Sequence, residues 1–192
     1  MISGSPHSPG LPPDPRKRFY TGLGAQRTPP DVCALLVLTA RHLAAAGMIL
    51  RSGAEKGAEQ AFAAGAAGQA EIFAPRAAVL TLRQPLAAPD RRAWAEAAAI
   101  ASRLHPNWHS LDRFTRRTHA RAVFTLLGAD LALPSAYVIC WAPLTPDGLP
   151  EGPAARTVLA LARELHISVY NLADAAVRDR FRRRLDELAY PG

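Results

Sequence analysis

The chain has 192 residues, is 49% hydrophobic and carries a formal charge of +7 from 23 basic and 16 acidic residues. That length fits one domain with a tail, and the apolar content suffices for a full core. No run approaches the roughly 18 apolar residues of a membrane span, no apolar leader opens the chain, and Cys33 and Cys140 stand alone without metal or disulfide spacing. A cytoplasmic protein with buried thiols, no membrane partner, no metal and no cofactor is the expectation. Lys17 and Lys56 are its lysines and the remaining cations are arginines, which suit anionic partners.

Residues 1–15 are rich in Pro, Gly and Ser and read as a disordered tail, with one domain over 16–192. The first strand is expected at Arg18–Thr21, running into a glycine turn at Gly22 and Gly24. Pro30–Ala46 has apolar residues at helical spacing (Val32, Leu35, Leu36, Leu38, Leu43), a proline in its first turn and Gly47 beyond its end, so a helix is expected there. Met48–Arg51 reads as strand two and opens a second glycine turn, Ser52-Gly53-Ala54-Glu55-Lys56-Gly57. Gly57–Ala64 is the next expected helix and Ala70–Phe73 the third strand, stopped by Pro75; 77–88 looks irregular. Pro89–Arg103 and Ser110–Leu127 read as helices around a His105-Pro106-Asn107-Trp108 turn. The continuous apolar run Ala136–Trp141 predicts a buried central strand. Pro153–Leu165, His166–Leu172 and Asp174–Leu188 complete a helix, strand, helix series. Strands alternating with helices predict an α/β fold: a doubly wound, Rossmann-like, mainly parallel sheet of about five strands with helices on both faces. No internal repeat is readable.

Two successive strand–glycine turn–helix units direct backbone N–H groups and helix N-termini at one place, a geometry that suits phosphate. Gly22, Gly24 and Arg27 form the first candidate set, with Arg27 able to fork onto an anion. Arg51, Ser52, Gly53, Ala54, Gly57 and Glu59 form the second. Glu59 lies in a first helical turn, where it serves the helix dipole, accepts from a ribose hydroxyl, or acts as a base. Glu55 and Lys56 read as a solvated pair. His105, Trp108, His109 and the stripe Arg113, Arg117, Arg121 offer a nucleic-acid surface, with a solvated face as the plainer alternative. His105 and His109 lack a third metal ligand. Arg178, Arg180, Arg182, Arg183 and Arg184 read as the solvated face of a helix whose apolar side is Val177, Phe181, Leu185 and Leu188.

Tyr20-Thr21-Gly22-Leu23-Gly24, Arg27-Thr28-Pro29-Pro30, Leu50-Arg51-Ser52-Gly53-Ala54, Gly57-Ala58-Glu59-Gln60-Ala61-Phe62, Glu71-Ile72-Phe73 and Val138-Ile139-Cys140-Trp141 together resemble a Rossmann-like superfamily. That superfamily joins recombination mediators of the DNA-processing protein A type with the Lonely Guy phosphoribohydrolases, and a bacteriophage and prophage branch looks most similar. The resemblance spans roughly residues 18–173. It implies a nucleotide pocket built from the two glycine turns and a third turn after the Val138–Trp141 strand, so Trp141 and Gly152 join the candidates. The third turn reads Glu151-Gly152-Pro153-Ala154, where relatives often have Gly-Gly-Thr, and no carboxylate follows in Ala154–Thr157. Three functions stand side by side: a module that senses, sequesters or carries a nucleotide-derived ligand; an N-glycosidase or phosphoribohydrolase-like enzyme using Glu59 or Glu55 as its carboxylate; and a DNA-binding recombination accessory. A homo-oligomer is compatible with each.

Overall fold

The computed structural model describes residues 18–53, 55–74 and 87–189. The expected tail over 1–15, Ala54 and most of the stretch 77–88 lie outside them. Five strands form one sheet: β1 (Phe19–Gly24), β2 (Ile49–Ser52), β3 (Ala70–Ile72), β4 (Tyr137–Trp141) and β5 (Ser168–Asn171). Their order is β3-β2-β1-β4-β5, and every pairing is parallel. Among the described residues six α-helices flank them: α1 (Pro30–Ala45), α2 (Ala58–Gly65), α3 (Arg91–Leu104), α4 (Arg113–Leu127), α5 (Pro153–Glu164) and α6 (Ala175–Ala189). The expected doubly wound α/β fold is the fold observed.

The sheet is buried on both sides from β1 to β4, which is why these strands read as apolar runs rather than alternating ones. Tyr20, Leu50, Ile72 and Ile139 enter one core with α1 and α2 residues such as Leu36 and Phe62, and Val177, Phe181 and Leu185 of α6 pack at its margin. Leu23, Val138 and Cys140 enter the opposite core with Ala97, Val123, Phe124 and Val158 of α3, α4 and α5. Adjacent residues of one strand thus supply two cores, as the pleat requires.

Two local expectations are corrected. Gly22 and Gly24 are strand residues, paired with Ile139 and Trp141 of β4, not turn residues. A Cβ on Gly22 would lie 2.7 Å from the Phe62 ring, so the missing side chain lets α2 settle on the sheet. The connection after β4 is not a bare turn either. Leu144 bridges Pro150, and the Thr145 N–H donates to the Leu149 carbonyl at 2.8 Å, making a small hairpin before α5.

Candidate functional site

After β1 the chain leaves for the α1 face; after β4 it leaves for the α5 face. The two strands are neighbours, so their C-terminal ends part and leave a crevice where α/β sheets of this kind bind ligands. A cavity of about 200 Å³ sits there, lined by Leu23 to Arg27, Glu55, Glu59 and Glu151 to Ala155.

Close main-chain packing builds its floor. The Ala25 N–H donates to the Trp141 carbonyl at 2.9 Å, and a Cβ on Gly24 would lie 2.6 Å from that carbonyl oxygen and 2.7 Å from Ala58 Cβ. Thr28 Oγ1 donates to the Ala25 carbonyl at 2.6 Å and fixes the turn that carries exposed Arg27. Gly57 has φ +81°, and a Cβ there would stand 2.6 Å from the carbonyl oxygens of Ala25 and Gln26. The two glycine units therefore touch, backbone on backbone.

One wall is acidic. Glu59, in the first turn of α2, is buried, and its Oε2 accepts the Glu55 N–H at 2.9 Å. Burial pushes its carboxyl up to about 7; the Glu55 charge adds to that, while the Glu55 N–H and Arg121 oppose it. Glu55 is no loose solvated group. It accepts Arg121 Nη2 at 2.8 Å and Gln26 Nε2 at 3.1 Å. Arg121 comes from α4, so the β2–α2 loop is tied across the sheet end to the other layer.

The opposite wall is the start of α5. Gly152 caps it at φ +89° and Pro153 is its first residue. Proline brings no N–H, but Ala154 and Ala155 lie within the first turn, whose N–H groups have no partner inside the helix.

Of the expected ligand residues, Gly24, Arg27, Glu59 and Gly152 line this cavity together. Gly22, Arg51, Ser52, Gly53, Gly57 and Trp141 do not, and each has a structural role instead. Arg51 is buried, donating to Glu71 Oε2 at 2.7 Å and to the Leu133 carbonyl, with its guanidinium 3.7 Å from the Phe19 ring centroid. Ser52 Oγ donates to the Gly22 carbonyl at 2.6 Å. Gly53 leaves room for the Glu59 carboxylate, which a Cβ would strike. Trp141 lends its backbone to the floor and its ring to Arg178, 5.6 Å away. Glu55, expected only as a solvated loop charge or an alternative carboxylate, joins the cavity lining, and Gln26, Glu151, Ala154 and Ala155 are lining residues that the sequence did not single out. A partnership such as Arg121 with Glu55 joins residues too distant in sequence for any local pattern to mark it.

The basic stripe is largely occupied. Arg121 holds Glu55, and Arg117 lies 4.4 Å from the Trp94 ring centroid. Off the stripe, Arg116 donates to the carbonyls of Trp108 and His109. Nearby His119 is buried, its Nδ1 2.6 Å from Thr157 Oγ1, and burial lowers its pKa to about 4. Among the described residues no group of three or more His, Cys, Asp or Glu side chains is arranged to hold a metal ion. No described helix is long and apolar enough to cross a membrane. Comparison of the chain with models of protein families, with curated proteins and with solved structures finds no match.

Proposed function

We propose that this protein binds a nucleotide or nucleotide-derived ligand in the cavity between the C-terminal ends of β1 and β4. One observation carries the reading: the cavity at the strand-order reversal brings Arg27 and helix N–H donors together with the carboxylates of Glu55, Glu59 and Glu151. Arg27 and the first-turn N–H groups of α5 suit an anionic group. Glu59 and Glu55 suit hydroxyls, which donate to carboxylates. A nucleotide carries both, a phosphate at one end and a sugar diol nearby. Mass spectrometry of small molecules released from the native protein, followed by calorimetric titration with a panel of nucleosides, nucleotides and sugar phosphates, tests it. A panel without any binder would overturn it.

One further reading has an observation of its own. Glu59 is a buried carboxyl that lines the cavity and titrates near neutral pH. Such a group can pass a proton at pH 7 or, ionised, steady positive charge at an anomeric carbon. This supports cleavage of an N-glycosidic bond in the bound nucleotide, with water attacking the anomeric carbon and the base leaving with the proton. Chromatography for released base, lost in Glu59→Gln, tests it. No comparable observation favours the DNA-binding accessory, because Arg116, Arg117 and Arg121 are engaged within the protein.

A further inference from the structure

The two edges of the sheet are unlike. At the β3 edge the Ile72 carbonyl accepts the Ala87 N–H at 2.9 Å, and Glu71 places a charge on the strand. Among the described residues the β5 edge has no strand beyond it. Ser168, Val169 and Tyr170 are exposed, and the strand pairs with β4 in an unbroken register without a bulge. The Leu172 N–H donates to the Cys140 carbonyl at 2.7 Å. By strand alternation Ser168 and Tyr170 also turn their main-chain groups toward β4, and Val169 turns its N–H and C=O outward. Natural edges are usually guarded by charge, proline or a bulge; the segment Ser168-Val169-Tyr170-Asn171 has none of these. Large apolar side chains are exposed around it: Leu165, Val169, Tyr170 and Leu188. A groove of about 300 Å³ opens beside the strand; Leu43, Tyr170, Phe181, Leu185 and Leu188 give it an apolar surface, and Arg180 and Arg184 stand at it as well.

We propose that the β5 edge docks a second copy of this chain, antiparallel about a two-fold axis through Val169, so that two five-stranded sheets become one of ten strands. The uncharged, self-complementary strand suits its own image, and two-fold symmetry fixes the centre. A two-fold normal to the sheet keeps each face on its own side, so residues pair only with residues of the same face. Val169 then stands opposite Val169 of the second copy, and Ser168 opposite Tyr170 of the second copy. The outward N–H and C=O of each Val169 satisfy one another in a closely spaced hydrogen-bonded pair. The strand bears no charge that would oppose its own image. A four-residue ladder alone falls short of the roughly 1,200 Å² of a stable interface. The exposed side chains Leu165, Tyr170 and Leu188 and the groove beside them supply the apolar surface that closes with it. Two copies that each carry +7 repel, and salt screens that repulsion.

Sedimentation of the full chain, from low micromolar to several hundred micromolar at two salt concentrations, tests the proposal. The wild type is expected to pass from monomer to dimer, at lower concentration in higher salt. Val169→Lys should remain monomeric with an unchanged melting temperature. Val169→Pro, which removes one outward N–H that the monomer does not use, should also remain monomeric. A wild type that stays monomeric would assign the edge to an extended segment of another protein and overturn the proposal. Association of folded Val169→Lys at the wild-type concentration would overturn it as well. If both variants fail to fold, amide exchange in the wild type decides: Val169 protection must rise with protein concentration, and a flat response refutes the pairing.

Discussion

Glu59 and His119 are two buried titratable side chains whose effects on stability run in opposite directions. The Glu59 carboxyl is raised from 4.5 to about 7, so the folded protein keeps a proton that the unfolded chain releases in that interval. Stability contributed by this group therefore falls as pH rises from about 4.5 to about 7. His119 is lowered from 6.5 to about 4, so the unfolded chain takes a proton first as pH falls. Its contribution is intact above about 6.5 and declines as pH drops toward 4. Glu59→Gln removes the first slope and keeps an oxygen for the Glu55 N–H. It is expected to stabilise the protein by up to about 3 kcal/mol at pH 8, by the free energy of a shifted carboxyl, and by little at pH 4.5. Denaturant unfolding at those two pH values measures the difference, and an equal gain at both would refute a neutral-range Glu59. Arg27 and Arg182 form the second comparison. Arg27 lines the cavity, while Arg182 is an exposed partner of Asp31 and Asp179 on α6. Arg27→Ala is expected to cost about 1.5–3 kcal/mol of ligand affinity, as for a lost charge-assisted hydrogen bond. Arg182→Ala should cost little. Calorimetric titration of both variants with the ligand that co-purifies decides the order, and equal losses would move the binding surface to the helices.

At the scale of elements, the two glycine units teach different lessons. Gly57 and Gly68 both have positive φ, but a Cβ on Gly57 meets two carbonyl oxygens at 2.6 Å and one on Gly68 meets nothing within 4 Å. Both alanine variants carry backbone strain on the order of 1 kcal/mol. Gly57→Ala alone must also push α2 from the first turn, so it should melt several degrees below Gly68→Ala and lose ligand affinity. Matching melting temperatures would show that the two turns do not depend on their contact. The helices were legible because apolar spacing, an early proline at Pro30 and Pro153, and Gly47 past the end of α1 are local signals. The strands were legible because a two-sided parallel sheet needs unbroken apolar runs such as Val138-Ile139-Cys140. The glycines of β1 misled because a glycine that lets a helix approach a strand looks, in sequence, like one that turns the chain. Arg51 misled for a similar reason. An arginine beside a glycine turn reads as an anion fork, and only the fold reveals Glu71 and the Leu133 carbonyl as its partners. Glu55, as part of an acidic wall, depends on Arg121 arriving from α4, which no periodicity encodes.

Across the whole molecule, the +7 charge is spread over arginines of which many are already engaged with acids, carbonyls or rings. Any attraction for single-stranded DNA should therefore be long-ranged and weak, and gone by about 0.2 M salt; fluorescence anisotropy of a labelled oligonucleotide at two salt concentrations reads it. Tight binding that survives that salt would contradict the engaged state of the α4 arginines. The order of the sheet has a kinetic consequence. β1 pairs with β2 soon after it along the chain, but its other partner, β4, begins at Tyr137, after α4. Closing that central ladder requires the longest loop in the sheet, and loop closure of this kind slows folding. The cavity has one wall from the β1–β2 half and the other from the β4–α5 half, so it comes into being only at that late step. A bound ligand would then act as a clasp across the seam, slowing unfolding while leaving the early docking of β1, β2 and α1 at its own speed.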